Sequence, residues 1–272
     1  MRFSSDQIQK IEKEISNKVD GKTLFDEFSR GRYSTDASVY QIKPLGVVLP
    51  KDTNDVLNLM EYSQKNSIPL LARGGGSSQC GQTVGESVVL DYSKHQNKIL
   101  ELNVEEKYVW VQPGVVLDHL NSFLRPHGLW FPVDVSTSSR ATIGGMSANN
   151  SCGSRSLYYG NMVHNVLAIE SILDDGSIHT FDQINKKYLT TTNNQDRFYK
   201  IIDKFLHLRQ KVSKDIDENW PTTQRRVGGY NIDLIDPNGF NSSNLLVGSE
   251  GTLSLFNKIK LKLSEIPRNK IL

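Results

Sequence analysis

Residues 71–85 read LARGGGSSQCGQTVG, and no other stretch constrains the fold so tightly. Three adjacent glycines lose the most conformational freedom on ordering and disfavour both helix and strand interiors. The run is therefore a loop, and the apolar IPLLAR before it reads as the strand that delivers it. Bare backbone permits close approach by a ligand, and successive N–H groups in such a turn form a concave nest for an anion. Each hydrogen bond to a charged group contributes about 1.5–3 kcal/mol, so several converging N–H groups can hold a diphosphate without a lysine. The competing reading is a tight surface turn that needs glycine for its dihedrals.

Two familiar phosphate motifs fail here. Gly76 to Thr83 has the spacing of a nucleoside-triphosphate loop, but Gln82 stands where the lysine belongs, and VGESVVLD after it reads as a strand rather than a helix. The dinucleotide pattern G-x-G-x-x-G fails because its third glycine would be Gln79. A second loop, TIGGMSANNSCGS at residues 142–154, repeats the chemistry with paired glycines and small hydrogen-bonding side chains. Two such loops in one chain point to a large phosphate-bearing ligand gripped from two sides.

The rest of the chain alternates helix and strand signals. Ile8, Ile11, Ile15 and Val19 recur at helical spacing. LGVVLP reads as a buried strand, and the segment from Asp52 as a capped helix with Val56, Leu59, Met60 and Ser63 on one face. SVVLDYS, KILELN and YVWVQPG read as short strands without helices between them, and a helix follows from about Val115. Residues 134–161 carry little regular pattern, a length that is usually functional or disordered. Strands return around an Asp175-Gly176 hairpin turn, a helix follows near residues 196–212, and NLLVGSEGTLSLFNKIKLKL reads as the closing strands. The pattern predicts an α+β chain of two halves joined near residue 105, or one larger domain.

Composition excludes several classes. A net charge of +2 over 272 residues does not suit a general nucleic-acid or membrane-surface binder. No apolar run approaches the ~20 residues of a membrane span, and the charged N-terminus lacks a signal-peptide core. Cys80 and Cys152 are too few for a disulfide framework and fit a reducing cytoplasm. His95, His119, His127, His164, His179 and His207 lie on different elements, so no metal site is expected; His164 is the one that follows the second loop.

RGGGSSQCGQTVGESVVLDYSKHQNKILELN, with VQPGVVLDHLNSFLRPHGLWFPVDVSTSSRATIGGMSANNSCGSRSLYYGNMVHNVLAIE, resembles the FAD-binding domain of the vanillyl-alcohol oxidase / p-cresol methylhydroxylase superfamily. Within it the chain is most similar to bacterial FAD-linked oxidases of D-2-hydroxy acids, of the D-lactate, glycolate and D-2-hydroxyglutarate type, with an appended iron–sulfur segment. YSTDASVY and LLVGSEGTL extend the resemblance to roughly residues 30–265. It implies two α+β subdomains with an extended FAD between them: an N-terminal helical segment at 1–40, subdomains at 41–105 and 106–265, and a linker toward a cap domain from 266 to 272.

The resemblance also implies the site. Arg73, Gly74, Gly75, Gly76, Ser77, Ser78, Gln79, Gly81 and Gln82 would form the diphosphate loop. Pro132, Asp134, Ser138, Thr142, Gly144 and Gly145 would line the opposite side. Asn149, Asn150, Gly153, Ser154, Tyr159, Gly160 and Asn161 would approach the diphosphate or the ring. Val166 to Ile169 would run beside the adenine half, and Glu250 and Gly251 would close the site. Ser77 occupies the position where some relatives tether the flavin to a histidine, so noncovalent FAD is expected; the other tether weighed is Cys152. Arg225 and Tyr230 are candidates for the substrate side, where an arginine grips a carboxylate bidentately. The reaction implied is hydride transfer from a 2-hydroxy acid to flavin N5, with the substrate cap and iron–sulfur parts supplied by more of the same polypeptide or by a partner chain. The alternatives are a stand-alone FAD-binding module and a flavoenzyme like the enolpyruvyl-sugar reductases.

Overall fold

The structure is a computed structural model that describes residues 3–185 and 196–268. The chain opens with α1 (Ser5–Ser16), which buries Ile8, Ile11 and Ile15 and is capped reciprocally by Ser4 and Gln7. Next come β1 (Lys22–Leu24), α2 (Glu27–Arg32), β2 (Gly46–Leu49), α3 (Thr53–Asn66), β3 (Leu70–Arg73) and β4 (Val88–Asp91). Asp52 caps α3, which buries Val56, Leu59 and Met60 and ends at Ser67 in the left-handed region, φ 54°. The crossover through α3 lets β2 and β3 lie parallel to β4 between them, and β1 closes the sheet antiparallel, order β1-β2-β4-β3. The N-terminal segment contributes to this layer. Lys22–Leu24 pairs with Val47–Leu49, and the α1 isoleucines share a core with Val48, Val88 and Leu90.

The second layer is antiparallel. It comprises β5 (Ile99–Asn103), β6 (Tyr108–Val111), α4 (Leu117–Leu124), β7 (Leu129–Trp130), α5 (Ile143–Asn149), α6 (Ser156–Tyr159), α7 (Met162–Asn165), β8 (Val166–Ile172), β9 (Ile178–Phe181), β10 (Gln183–Asn185), α8 (Arg197–Lys211), α9 (Ser213–Asn219), β11 (Gly239–Asn241), β12 (Leu255–Lys262) and β13 (Ser264–Glu265). The main sheet runs β5-β6-β12-β8-β9, so the late strand β12 sits at its centre. Because β5 pairs with β6, the change of sheet falls between Asp91 and Ile99, ahead of the expected join near 105. The β8–β9 turn forms as expected, with Gly176 at φ +81° and its N–H donating to the Leu173 carbonyl at 2.9 Å.

Two stretches differ from expectation. Residues 134–161 contain α5 and the short helical turn α6, because Thr142 caps a run whose apolar Ile143 and Met146 face the core. Residues 246–254 are turns rather than strand: Gly248, Glu250 and Gly251 all have positive φ, at 84°, 50° and 79°, which no strand accommodates. The expected linker from 266 lies largely outside the described residues. The two layers share a core, since Ile172 and Leu255 pack among the residues of the first, and Thr53 donates to Asn257 Oδ1 at 2.8 Å. No helix among the described residues is long and apolar enough to cross a membrane.

Candidate functional site

Parallel β3 and β4 end at the seam between the layers, and the loop after β3 runs along it. There a cleft of about 440 Å³ is walled by the first glycine loop, by residues 135–152 and by residues 250–256. That size lies within the usual range of ligand pockets.

The glycines meet chain as well as cleft. A Cβ on Gly74 would lie 2.0 Å from Thr142 Oγ1, and one on Gly75 would lie 2.3 Å from the Arg140 carbonyl oxygen. Their smallness first of all lets the two loops close on each other. That closure leaves the main-chain donors over: no N–H of residues 75–79 donates to another protein group among the described residues. All five residues line the cleft, and successive main-chain donors without a protein partner suit an anionic group such as a diphosphate.

Arg73 is spent on architecture. Its Nη1 donates to the carbonyls of Tyr33 at 3.2 Å and Thr83 at 3.1 Å, and its Nη2 to that of Thr35 at 2.7 Å. Burial pushes its pKa down, while Asp36, Asp91 and Tyr33 push it up. Tyr33 donates in turn to Asp91 Oδ2 at 2.5 Å, so the arginine, the phenol and the carboxylate fix the root of the loop.

Glu250 draws the three walls together. Its Oε1 accepts from Gln82 Nε2 at 3.0 Å and from Asn149 Nδ2 at 3.2 Å. Gln82 Oε1 is bound to the Ser78 hydroxyl, and Thr137 donates to Ser77 Oγ at 3.4 Å. On the second wall Thr142, nearly fully buried, accepts from Gly145 N at 3.3 Å.

Of the residues expected at the site, Arg73, Gly74, Gly75, Gly76, Ser77, Ser78, Gln79, Gln82, Thr142, Gly144, Gly145, Asn149, Glu250 and Gly251 line the cleft. The others lie around it. Gly81 sits against the Tyr40 ring, Pro132 is buried between Phe131 and Val133, and the Ser138 carbonyl accepts from Asp118 N at 3.2 Å at the start of α4. Asp134 supports the second loop, accepting from the Ser154 hydroxyl at 2.8 Å and from Arg155 N at 3.0 Å, and Gly153 packs directly on it. Asn150 is buried and accepts from Val163 N at 3.1 Å. Tyr159 lies edge-on to Trp130, Gly160 touches the His164 ring, and Asn161 Nδ2 donates to the Arg226 carbonyl at 3.0 Å. Val166 and Ile169 are core residues of β8, and the Val166 carbonyl is taken by Asn241 at 3.0 Å. Arg225 donates to the Gly153 carbonyl at 3.0 Å, and the Tyr230 hydroxyl bonds Thr252 Oγ1 at 2.8 Å. Neither of these last two lines the cleft, whereas Val227 and Gly251 do.

Sequence reasoning missed Tyr92, Pro113, Met146 and Phe256, which also line the cleft. They read as ordinary core residues, and only the fold turns them toward the seam. Among the described residues no three His, Cys, Asp or Glu side chains gather into a metal site.

The two-layer α+β chain thus carries a cleft in the seam between its sheets, lined by the small residues of both loops. The chain belongs to the FAD binding domain family, whose model matches residues 44–182, about half of its length. FAD is the cofactor that this family binds. The chain is 36% identical over 255 residues to a D-2-hydroxyglutarate dehydrogenase of Haemophilus influenzae, covering 88% of this chain and 24% of the relative. It is 30% identical over 267 residues to the glycolate oxidase subunit GlcD of Bacillus subtilis, covering 97% and 47%. It is 28% identical to a probable mitochondrial D-lactate dehydrogenase of Danio rerio, covering 89% and 40%. The chain therefore spans a quarter to just under half of these curated relatives. A solved structure of alkyldihydroxyacetonephosphate synthase superposes with a TM-score of 0.66 at 18% identity, covering 98% of this chain and 42% of that one. Fold and family agree on the two-subdomain, p-cresol methylhydroxylase type of FAD-binding fold.

Proposed function

We propose that the chain is the FAD-holding portion of a cytoplasmic oxidoreductase that oxidises a D-2-hydroxy acid. The observation that carries this reading is the row of free N–H groups at residues 75–79, set opposite a second small-residue wall in one cleft. Those donors hold the diphosphate, and Ser77 offers no imidazole for a tether, so FAD is bound noncovalently. Bound FAD supplies the hydride acceptor. Gln82, Asn149 and Glu250 bridge the walls beside it, and Arg225 and Tyr230 stand on the substrate side.

His164 does not serve as the base. Its Nδ1 accepts from Asn161 N at 3.0 Å, and burial and then the Arg226 charge hold its pKa below the usual imidazole value. With Nδ1 accepting, the ring proton sits on Nε2, which donates. The proton acceptor for the substrate hydroxyl, the cap over the substrate and the iron–sulfur acceptor belong to further parts of the whole protein, which is consistent with the short span of its relatives that this chain covers.

The test is uptake of FAD. The purified chain is expected to be yellow or to take up FAD. FAD at about 1,000 times its Kd is expected to add roughly 4 kcal/mol of stability. Absence of any rise in Tm at saturating FAD overturns the reading. Anaerobic addition of a D-2-hydroxy acid is expected to bleach this chain little or not at all.

A further inference from the structure

We propose that Glu250 is a latch across the exposed side of the cleft, and that its opening governs how fast FAD enters and leaves. The proposal rests on the function above, because it concerns exchange of the cofactor assigned to the same cleft. The two loops already pack on each other at Gly74 and Gly75, where added Cβ atoms would lie 2.0 Å from Thr142 Oγ1 and 2.3 Å from the Arg140 carbonyl oxygen. Glu250 joins the walls a second time, through side chains alone.

Ser78, Gln82, Glu250, Asn149 and Ser151 all line the cleft and form one polar chain from the first loop to the second. Gln82 Oε1 is bound to the Ser78 hydroxyl, and Gln82 Nε2 donates to Glu250 Oε1 at 3.0 Å. Asn149 Nδ2 donates to the same oxygen at 3.2 Å, and Ser151 Oγ donates to Asn149 Oδ1 at 3.1 Å. The backbone that carries the carboxylate belongs to the second wall. Gly248 N donates to the Ser147 carbonyl at 3.0 Å, and Glu250 N to that of Ala148 at 2.9 Å. Glu250 is held there in the left-handed region, φ 50°, between Gly248 at 84° and Gly251 at 79°. A residue persists in that region where its surroundings over-determine it. The turn is therefore fixed, and the side chain is the part that moves.

Both bonds to the carboxylate are exposed to water, so water replaces Gln82 at small net cost. Opening that bond frees the first loop from the second on this side without unfolding either wall. Such a barrier lies on the way in and on the way out, so it sets both rates and leaves the affinity alone.

The test reads exchange rather than activity. FAD entry is followed by flavin fluorescence after rapid mixing, and release by the return of free-flavin fluorescence on dilution. Glu250→Ala is expected to speed both steps about fivefold, the factor of one ordinary hydrogen bond, with Kd within about twofold of the parent. Gln82→Leu is expected to act likewise, and the double variant to go no further than either, because one bond is lost once. Glu250→Gln keeps an acceptor oxygen and is expected to retain most of the slow exchange.

A second reading needs no FAD. Cys152 is half-buried on the cleft wall, and Cys80 is exposed. In the FAD-free chain, N-ethylmaleimide is expected to label Cys152 about fivefold faster in Glu250→Ala than in the parent, with Cys80 unchanged. Parent exchange rates in Glu250→Ala overturn the latch, as does unchanged labelling of Cys152. Faster release with unchanged entry and a matching loss of affinity also overturns it, because Glu250 is then a plain cofactor contact. If neither chain takes up FAD, the proposed function fails, and the Cys152 labelling alone decides whether Glu250 closes the cleft.

Discussion

Gly75 meets Arg140 main chain to main chain: a Cβ at Gly75 would sit 2.3 Å from the Arg140 carbonyl oxygen. No side-chain rotation relieves that contact. Gly75→Ala is therefore expected to lower the stability of the FAD-free chain, in the range of strained or overpacked sites, about 1–3 kcal/mol. Gly145 is a contrasting cleft glycine. Its Cβ would meet only Thr142 Oγ1, at 3.2 Å, and the gain in helix propensity is worth up to about 1 kcal/mol. Gly145→Ala is expected to leave apo stability nearly unchanged while weakening FAD binding at least about tenfold, because the methyl occupies the cleft. Urea unfolding and FAD titration of both variants separate loop closure from cofactor contact. Equal effects of the two variants on apo stability would remove the distinction.

Arg73 gives a second prediction. Its guanidinium reaches three carbonyls from two segments, which a lysine ammonium on a single point cannot match. Arg73→Lys is expected to cost about 2 kcal/mol or more in the FAD-free state. An unchanged urea midpoint would show that the charge alone matters and the fork does not.

These two cases mark how far the sequence was legible. The glycine runs announced a loop with bare backbone, and the strand before them, the α3 cap and the hairpin at Gly176 are local signals that sequence carries openly. What the glycines face is a long-range fact: the partner of Gly75 is Arg140, and the partner of Gln82 is Glu250, 168 residues away. No local pattern encodes such pairs. Likewise β12 enters the middle of a sheet begun by β5 and β6, so the sheet boundary could not be read from the order of strands alone. Residues 246–254 misled because LLVG and TLSLF are apolar enough for strand, while the turn is set by three positive φ angles between them.

Asp55 carries a third prediction. It is buried, and its carboxylate accepts from Asp20 N at 2.7 Å, Gly21 N at 2.9 Å and Lys51 N at 2.7 Å, which ties the turn before β1 to α3. Removing it strands three main-chain donors. Asp55→Ala is expected to destabilise the chain by about 3 kcal/mol or more, since each unmet buried donor costs about 1–3 kcal/mol. Urea unfolding checks this, and a loss below about 1 kcal/mol would mean that water replaces the carboxylate.

The last prediction concerns alkaline pH. Burial pushes the Tyr92 phenol well above its usual range, and burial followed by Asp91 and Glu14 does the same for Tyr33 and Tyr62. In the unfolded chain a tyrosine ionises near pH 10. Above that pH the unfolded state releases protons that the folded state keeps, so stability is complete below about pH 10 and falls as pH rises toward the folded-state values. Tyr92 isolates one share of this effect, because its hydroxyl is buried with no hydrogen-bond partner among the described residues. Tyr92→Phe removes the titrating group and breaks no bond. It is expected to keep or raise stability at pH 7, since an unpartnered buried hydroxyl is a cost. Above about pH 10 it is expected to lessen the fall by up to about 1.4 kcal/mol per pH unit, the value of one proton. Urea unfolding at neutral and alkaline pH gives both readings. A variant that loses stability at pH 7 and keeps the parent's alkaline slope would show that the Tyr92 hydroxyl has a partner and titrates normally.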